Sequence, residues 1–180
     1  MPRQTNVTID FTKIKGKFKP MHGVGQPPNT GLSCSMYHYL TRAGIPYSRL
    51  HDVGGWMGGG LYVDIPNIFP NFDADPTDPA SYDFACTDEY MKAFEAAGTK
   101  VFYRLGSKIE HEVKKYGTLP PKDFKKWAVI CEHIIRHYTE GWADGFRYNI
   151  RYWEIWNEPE VQEKMMWCGT DEEYYRLYDV

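Results

Sequence analysis

The chain has 180 residues, a formal net charge of −3 and 25% charged side chains; the length fits one domain, and the charge gives no basic footprint for nucleic acid. Hydrophobic residues make up 42%, enough for a buried core and too many for wholesale disorder. No apolar run approaches the ~18–20 residues of a membrane span, and Met1 to Thr12 lacks the apolar stretch of a signal peptide, so the expectation is a cytoplasmic protein with no membrane partner.

Aromatic residues reach 16%, with six Trp and fourteen Tyr. Such an excess serves either the core or a surface that stacks on flat ligands, sugars among them. The four cysteines, Cys34, Cys86, Cys131 and Cys168, are far apart and form no C-x-x-C pair, so free thiols are expected rather than a zinc ribbon or redox site. The sequon Asn6-Val7-Thr8 has no secretory context to give it meaning.

Four segments read as buried parallel strands. The first covers Phe18 to Val24, with His22 near its end as a candidate pocket residue or a backbone-bonded histidine. A helical pattern from Thr30 to Ala43 stops at Gly44 and leads to the second strand, Tyr47-Ser48-Arg49-Leu50-His51. Residues 53–82 then break the rhythm with Gly54-Gly55, Gly58-Gly59-Gly60 and Pro66, Pro70, Pro76 and Pro79. This is a long excursion of the kind that tends to be functional or mobile, and Trp56 within it is a candidate for stacking on sugar or for an exposed contact.

Thr87 to Ala97 is the next helical pattern, with Asp88 in its first turn, where a negative charge suits the helix dipole. Gly98 stops it, and Lys100-Val101-Phe102-Tyr103-Arg104-Leu105 is the third strand. Phe124, Trp127, Cys131, Ile134, Ile135 and Tyr138 then recur at spacings of three and four, one apolar face of a helix, with Pro120 and Pro121 just ahead of it. Glu132, His133 and His137 on that helix lack the H-E-x-x-H spacing of a zinc site and read as a solvated face. The fourth strand is Tyr152-Trp153-Glu154-Ile155-Trp156, and a last helical pattern runs from Asp171 to Val180.

Strand and helix alternate four times, which predicts an α/β fold with a parallel sheet. Gly23-Val24-Gly25 is too short for a dinucleotide fingerprint, and the Gly54 to Gly60 run lacks the ending of a phosphate loop. The chemistry points instead to Trp156-Asn157-Glu158-Pro159. Proline ends strand pairing there, which puts Asn157 and Glu158 at the carboxyl end of a parallel strand, where such folds bind ligands. A carboxyl beside Trp156 is expected to be partly desolvated and so suited to general-acid work. Asn157 offers a donor and an acceptor to a sugar hydroxyl. Arg49 and Asp52 read as an ion pair under the strand ends.

Several stretches together resemble the catalytic barrel of glycoside hydrolase family 39, the family of β-xylosidases and α-L-iduronidases. They are Gly44 to Asp52, Ser81-Tyr82-Asp83-Phe84 with the helix ending Ala97-Gly98, Tyr152 to Pro159, and Tyr174-Tyr175-Arg176-Leu177-Tyr178. The resemblance implies a (β/α)8 TIM-barrel type of fold, of which this chain holds the first four β/α units, residues 1–180 being the N-terminal half of a catalytic barrel. It implies retaining O-glycosyl hydrolysis of a carbohydrate substrate, with Glu158 as general acid/base, Asn157 on the sugar 2-hydroxyl, His51 on another hydroxyl, and no cofactor or metal. The family's nucleophile is a second glutamate at the end of strand seven, expected beyond Val180. A full barrel needs ~250 residues, so a missing C-terminal half or self-association is expected to complete this one. Two alternatives stay open: a carbohydrate-binding or degenerate half-barrel without catalysis, and a related retaining enzyme of the same clan acting on β-glucans or mannans.

Overall fold

The computed structural model describes residues 5–28, 37–51, 63–110, 113–161 and 166–180. Three of the four expected strands form: β1 (Tyr47–Leu50), β2 (Lys100–Leu105) and β3 (Tyr152–Ile155). All are parallel, with β2 in the centre. Helix α1 (Tyr37–Ala43) precedes β1, α2 (Ile65–Ile68) and α3 (Ala85–Ala97) connect β1 to β2, α4 (Phe124–Thr139) connects β2 to β3, and α5 (Asp171–Asp179) follows β3.

The register explains what each face of the sheet carries. Arg49 is level with Phe102 and Phe102 with Tyr152, while Arg104 is level with Glu154. Residues at matched positions share a face, and alternate residues return to it. One face therefore carries Tyr47, Arg49, Phe102, Arg104, Tyr152 and Glu154. The other carries Ser48, Leu50, Val101, Tyr103, Leu105, Trp153 and Ile155, and it packs on the helices. Leu50, Val101, Tyr103 and Leu105 join Met91 and Phe94 of α3 and Trp127, Ile130, Cys131, Ile134 and Tyr138 of α4 in one core. Burial of each large side chain there contributes about 1.5–3 kcal/mol.

Local signals set the helix ends. Gly98 closes α3 in the left-handed region at φ 66°, a conformation that suits a residue without Cβ. The Asp123 side chain accepts the Lys126 N–H at the start of α4. Thr170 and Glu173 form a reciprocal capping box at the start of α5, which satisfies two otherwise orphaned donors.

Three expectations need correction. The stretch Phe18 to Val24 forms no strand: its one ladder contact is a bridge from Val24 to Ser48, made by Val24 N–H to Tyr47 O at 3.1 Å and Arg49 N–H to Val24 O at 2.9 Å. Pro20 removes one donor from the stretch and Pro27-Pro28 follow the bridge, both unfavourable to a longer strand. The excursion after β1 is also more structured than its Gly and Pro content suggested, since Ile65, Ile68 and Phe69 are buried in the core from α2 and its end. Residues 52–62 of it, and the early part of the Thr30–Ala43 helix, lie outside the described residues. Finally, His133 and His137 are not a solvated face. His137 is stacked on Phe84 with ring centroids 3.6 Å apart, and its Nε2 and Nδ1 face Asp88 at 3.1 Å and the Trp142 carbonyl at 2.9 Å. Asp88 also accepts from the Tyr138 hydroxyl at 3.0 Å, so the acid that the helix dipole favoured holds two helices together.

Candidate active site

The site grows from the end of β3. Trp156 N–H donates to Leu105 O at 2.6 Å, continuing the ladder by one step. The backbone then turns sharply: Trp156 has φ 68° and Glu158 φ 39°. Positive φ in non-glycine residues costs on the order of 1–3 kcal/mol each and gathers at functional sites. The turn buries the Trp156 ring, 2% exposed, against Trp127 and Trp167 at centroid distances of 6.2 and 5.0 Å. Its indole N–H donates to the Met166 carbonyl. Gly106 makes the turn possible, because a Cβ there would stand 2.9 Å from Trp156 Cα.

Asn157 and Glu158 emerge from this turn with different surroundings. Asn157 is buried. Arg49 reaches it from β1, with Nη2 at 2.5 Å from Asn157 Oδ1, and also grips Glu154 through Nε and Nη2 at 2.7 and 2.6 Å. A guanidinium only donates, so the Asn157 carbonyl oxygen is committed to Arg49. Its Nδ2 donates to Met166 Sδ at 3.6 Å, which leaves the second N–H of the amide for another partner. Glu158 is exposed. It thus stands exposed rather than partly desolvated as expected, while the Trp156 side chain lies in the core. Among the described residues Arg49 pairs with Glu154; Asp52, its expected partner, lies outside them.

His51 follows β1 and is buried at the same carboxyl end of the sheet as Asn157. The two residues sit on β1 and β3, with β2 between them, and Arg49 joins the two strands. Arg104 Nε lies 3.1 Å from His51 Nδ1, and Arg104 Nη2 lies 2.5 Å from Asp64 Oδ1. Asp64 also accepts the Lys108 N–H at 3.0 Å. Burial pushes the Asp64 carboxyl above the usual range, against the pull of Arg104. His22 stands elsewhere: its Nε2 meets Gly44 O at 3.1 Å, and it precedes the Val24 bridge by two residues, toward the amino end of β1. Trp56 lies outside the described residues.

Loops at the strand ends are tied to one another. Burial works to raise the Glu110 carboxyl, but the Gly117 and Tyr116 N–H groups and Thr118 hold it below its ordinary range. Thr118 O in turn accepts the Cys168 N–H at 2.8 Å, linking the loop after β2 to the loop after β3. A cleft of about 250 Å³ lies beside these loops, lined by Phe69, Phe72, Tyr116, Trp127 and Trp156 among others. A second cleft of about 610 Å³ lies between the N-terminus of α4 and α5 and carries no residue of the candidate site.

Sequence reasoning missed Glu154, Arg104 and Asp64. Charged residues inside short apolar strands, Glu154 in Tyr-Trp-Glu-Ile and Arg104 in Phe-Tyr-Arg-Leu, were the available signal, since such charges are paired when buried. Asp64 had no local signal, because its partner lies forty residues away in sequence. Among the described residues no group of three ligating side chains could hold a metal.

Parallel strands joined by helices, with an acid and an amide presented at their carboxyl ends, define an α/β enzyme scaffold of the kind that includes the TIM barrel. Comparisons with known proteins narrow this. The profile of "Glycosyl hydrolases family 39" matches residues 41–180, and the chain belongs to that family. It is 30% identical over 146 residues to a beta-xylosidase of Caldicellulosiruptor saccharolyticus, covering 75% of this chain and 27% of the relative. Over 137 residues it is 27% identical to a beta-xylosidase of Geobacillus stearothermophilus, covering 68% and 26%. A crystal structure of a glucosidase from Croceicoccus marinus superposes with a TM-score of 0.65 at 26% identity, covering 87% of this chain and 31% of that one. The chain thus spans about a third or less of the length of these relatives.

Proposed function

We infer that this chain supplies the acid/base half of a retaining O-glycosyl hydrolase acting on β-xylosides or closely related glycosides. It carries the first four β/α units of an eight-unit barrel, the first of them reduced to the Val24 bridge. The nucleophile is a strand-seven glutamate outside residues 1–180, brought by a C-terminal half or by another polypeptide. The observation that carries the reading is the Asn157-Glu158 pair at the turn after β3, with Arg49 committing the amide oxygen and leaving Nδ2 to donate.

In the first step the Glu158 carboxyl gives its proton to the glycosidic oxygen as the C1–O bond breaks, and the nucleophile carboxylate bonds to C1. Glu158, now a carboxylate, takes a proton from water as the water oxygen attacks C1 and the nucleophile leaves. Asn157 Nδ2 donates to the 2-hydroxyl, a contact that strengthens as charge develops at C1. Glu154 does not serve as the nucleophile, because Arg49 holds both its oxygens. Glu158 stands exposed at the strand end, open to a leaving group and to the remaining barrel wall.

The test is the stereochemistry of aryl β-xyloside hydrolysis by the completed enzyme, followed by proton NMR. The β-anomer of xylose should appear first and mutarotate later. Initial release of the α-anomer would contradict retention, and no binding or turnover of any aryl glycoside would contradict the hydrolase reading itself.

A further inference from the structure

We propose that the cleft between α2 and the loop after β2 binds a small phenol, whose ring packs on an aromatic wall and whose hydroxyl bonds to Ser107 Oγ. The proposal is carried by the lining of this cleft and does not rest on the hydrolase reading.

The cleft has a volume of about 250 Å³. Phe69 and Phe72 line it just beyond α2, Tyr116 and Leu119 from the loop after β2, and Trp127 and Trp156 from α4 and the turn after β3. Phe69, Trp127 and Trp156 are buried in the core, the two indoles with centroids 6.2 Å apart. Rings held in this way receive a flat apolar ligand at little cost in ordering.

Polar groups in the lining are few, and two of them are already engaged. The Trp156 indole N–H donates to the Met166 carbonyl. The Lys122 ammonium sits 3.8 Å from Asp73, on a side chain that is 76% exposed. Ser107 is different: it is 3% exposed, and its Oγ is buried with no hydrogen-bond partner. Such a hydroxyl bears the full penalty of lost hydration, and a group left in that state calls for a reason. It can both donate and accept, so a ligand hydroxyl satisfies it in either sense. Gly117 keeps the space beside it open, since a Cβ there would stand 3.2 Å from Ser107 Oγ.

Ser107, Tyr116 and Gly117 also border a cleft of about 220 Å³ that holds Asp64 and Glu110. Those carboxylates already accept from Arg104, from the Lys108 N–H and from the N–H groups of Tyr116, Gly117 and Thr118. That side therefore offers a ligand little beyond Ser107 itself.

The lining selects among ligands. A pyranose carries a hydroxyl on almost every carbon, and most of them would be buried against rings and prolines without partners. A plain aromatic ring would leave the Ser107 hydroxyl as it stands. A phenol matches both parts, with a flat apolar body for the rings and one hydroxyl for one hydroxyl.

The experiment is calorimetric titration of the completed enzyme with phenol and with toluene, together with crystals of the same protein soaked in phenol or in xylose. Heat of binding is read without turnover, so a protein with no glycosidase activity still answers. Phenol should bind in this cleft with its oxygen within hydrogen-bond distance of Ser107 Oγ, and xylose should leave the cleft empty. Toluene should bind about tenfold more weakly than phenol, the worth of one hydrogen bond. Ser107→Ala should bring phenol down to the affinity of toluene and leave toluene unchanged. Gly117→Ala, which sets a methyl group against the hydroxyl, should weaken phenol by a similar factor and decides the matter if Ser107→Ala does not fold. Toluene binding as tightly as phenol, phenol seen in the crystal but not in solution, xylose in the cleft, or a phenol preference that survives these variants would overturn the proposal.

Discussion

Arg49→Met probes the link between the sheet and Asn157. Arg49 makes two contacts to Glu154, at 2.7 and 2.6 Å, and one to Asn157 Oδ1 at 2.5 Å. Methionine keeps most of the aliphatic stem and removes all three. Hydrogen bonds to charged groups are each worth ~1.5–3 kcal/mol, but a simple sum overstates the loss. The side chains of Arg49 and Glu154 remain 24% and 27% exposed, so water reaches the abandoned carboxylate. Exposed pairs contribute ~0–1 kcal/mol and breaking a buried one costs ~3–5; a quarter-exposed pair with bidentate geometry should cost about 2–3 kcal/mol. For a chain of this length that is a fall in Tm of roughly 4–12 °C. Urea unfolding followed by both circular dichroism and tryptophan fluorescence measures it, and a double-mutant cycle with Glu154→Leu should return a coupling of about 2 kcal/mol. Arg49→Lys should recover less than half, because an ammonium cannot make the two-pronged contact. A loss under ~0.5 kcal/mol, or zero coupling to Glu154, would refute the claim that Arg49 organises this end of the sheet.

Gly106→Ala sets a Cβ 2.9 Å from Trp156 Cα at a residue with φ 133°, and should cost roughly 2–4 kcal/mol; a change within ~0.5 kcal/mol in urea unfolding would contradict the close approach. Glu110 has a folded-state pKa held below its unfolded value, so its contribution is present above an unfolded pKa of about 4.3 and is lost as the pH falls through the folded value. Glu110→Gln should therefore cost about 1–2 kcal/mol at neutral pH and almost nothing in strong acid, and an equal loss at both ends of a pH series of thermal melts would refute the assignment. Among the described residues β3 pairs on one side only, with β2, and such an edge invites another strand; residues 1–180 expressed alone should run as dimers or larger species in light scattering, whereas a monodisperse monomer would contradict an open edge.

Legibility from sequence followed the range of the interactions involved. The apolar spacing of Trp127, Cys131, Ile134 and Tyr138 gave α4, and Gly98 marked the end of α3, because these signals are local. Glu158 and Asn157 stood out because a proline after an apolar strand fixes where the strand stops. Long-range pairing was not legible. His137 read as solvated, yet Asp88, forty-nine residues away, and the Phe84 ring cover it. The pairing of Arg49 with Glu154, two strands across, had no signal in the sequence around either residue. Phe18 to Val24 has apolar residues in about the right places but is interrupted by Pro20 and pairs only at Val24, so hydrophobic pattern alone overestimated it. The polar sheet face of Arg49, Arg104 and Glu154 was missed for the same reason: the strands are short, and period-two alternation over four to six residues is easily read as a continuous apolar run.

The role of Glu158 is tested most directly by the leaving-group dependence of Glu158→Ala in the completed enzyme. Against aryl β-xylosides with poor leaving groups, kcat/KM should fall about 10²–10⁴-fold. With activated leaving groups, which need little protonation, the first step should be nearly untouched and the second should become limiting. Added azide should then restore turnover and yield a β-xylosyl azide, because the small anion attacks C1 without a general base. A uniform rate loss across all leaving groups, with no azide product, would mean that Glu158 moves no proton in the reaction.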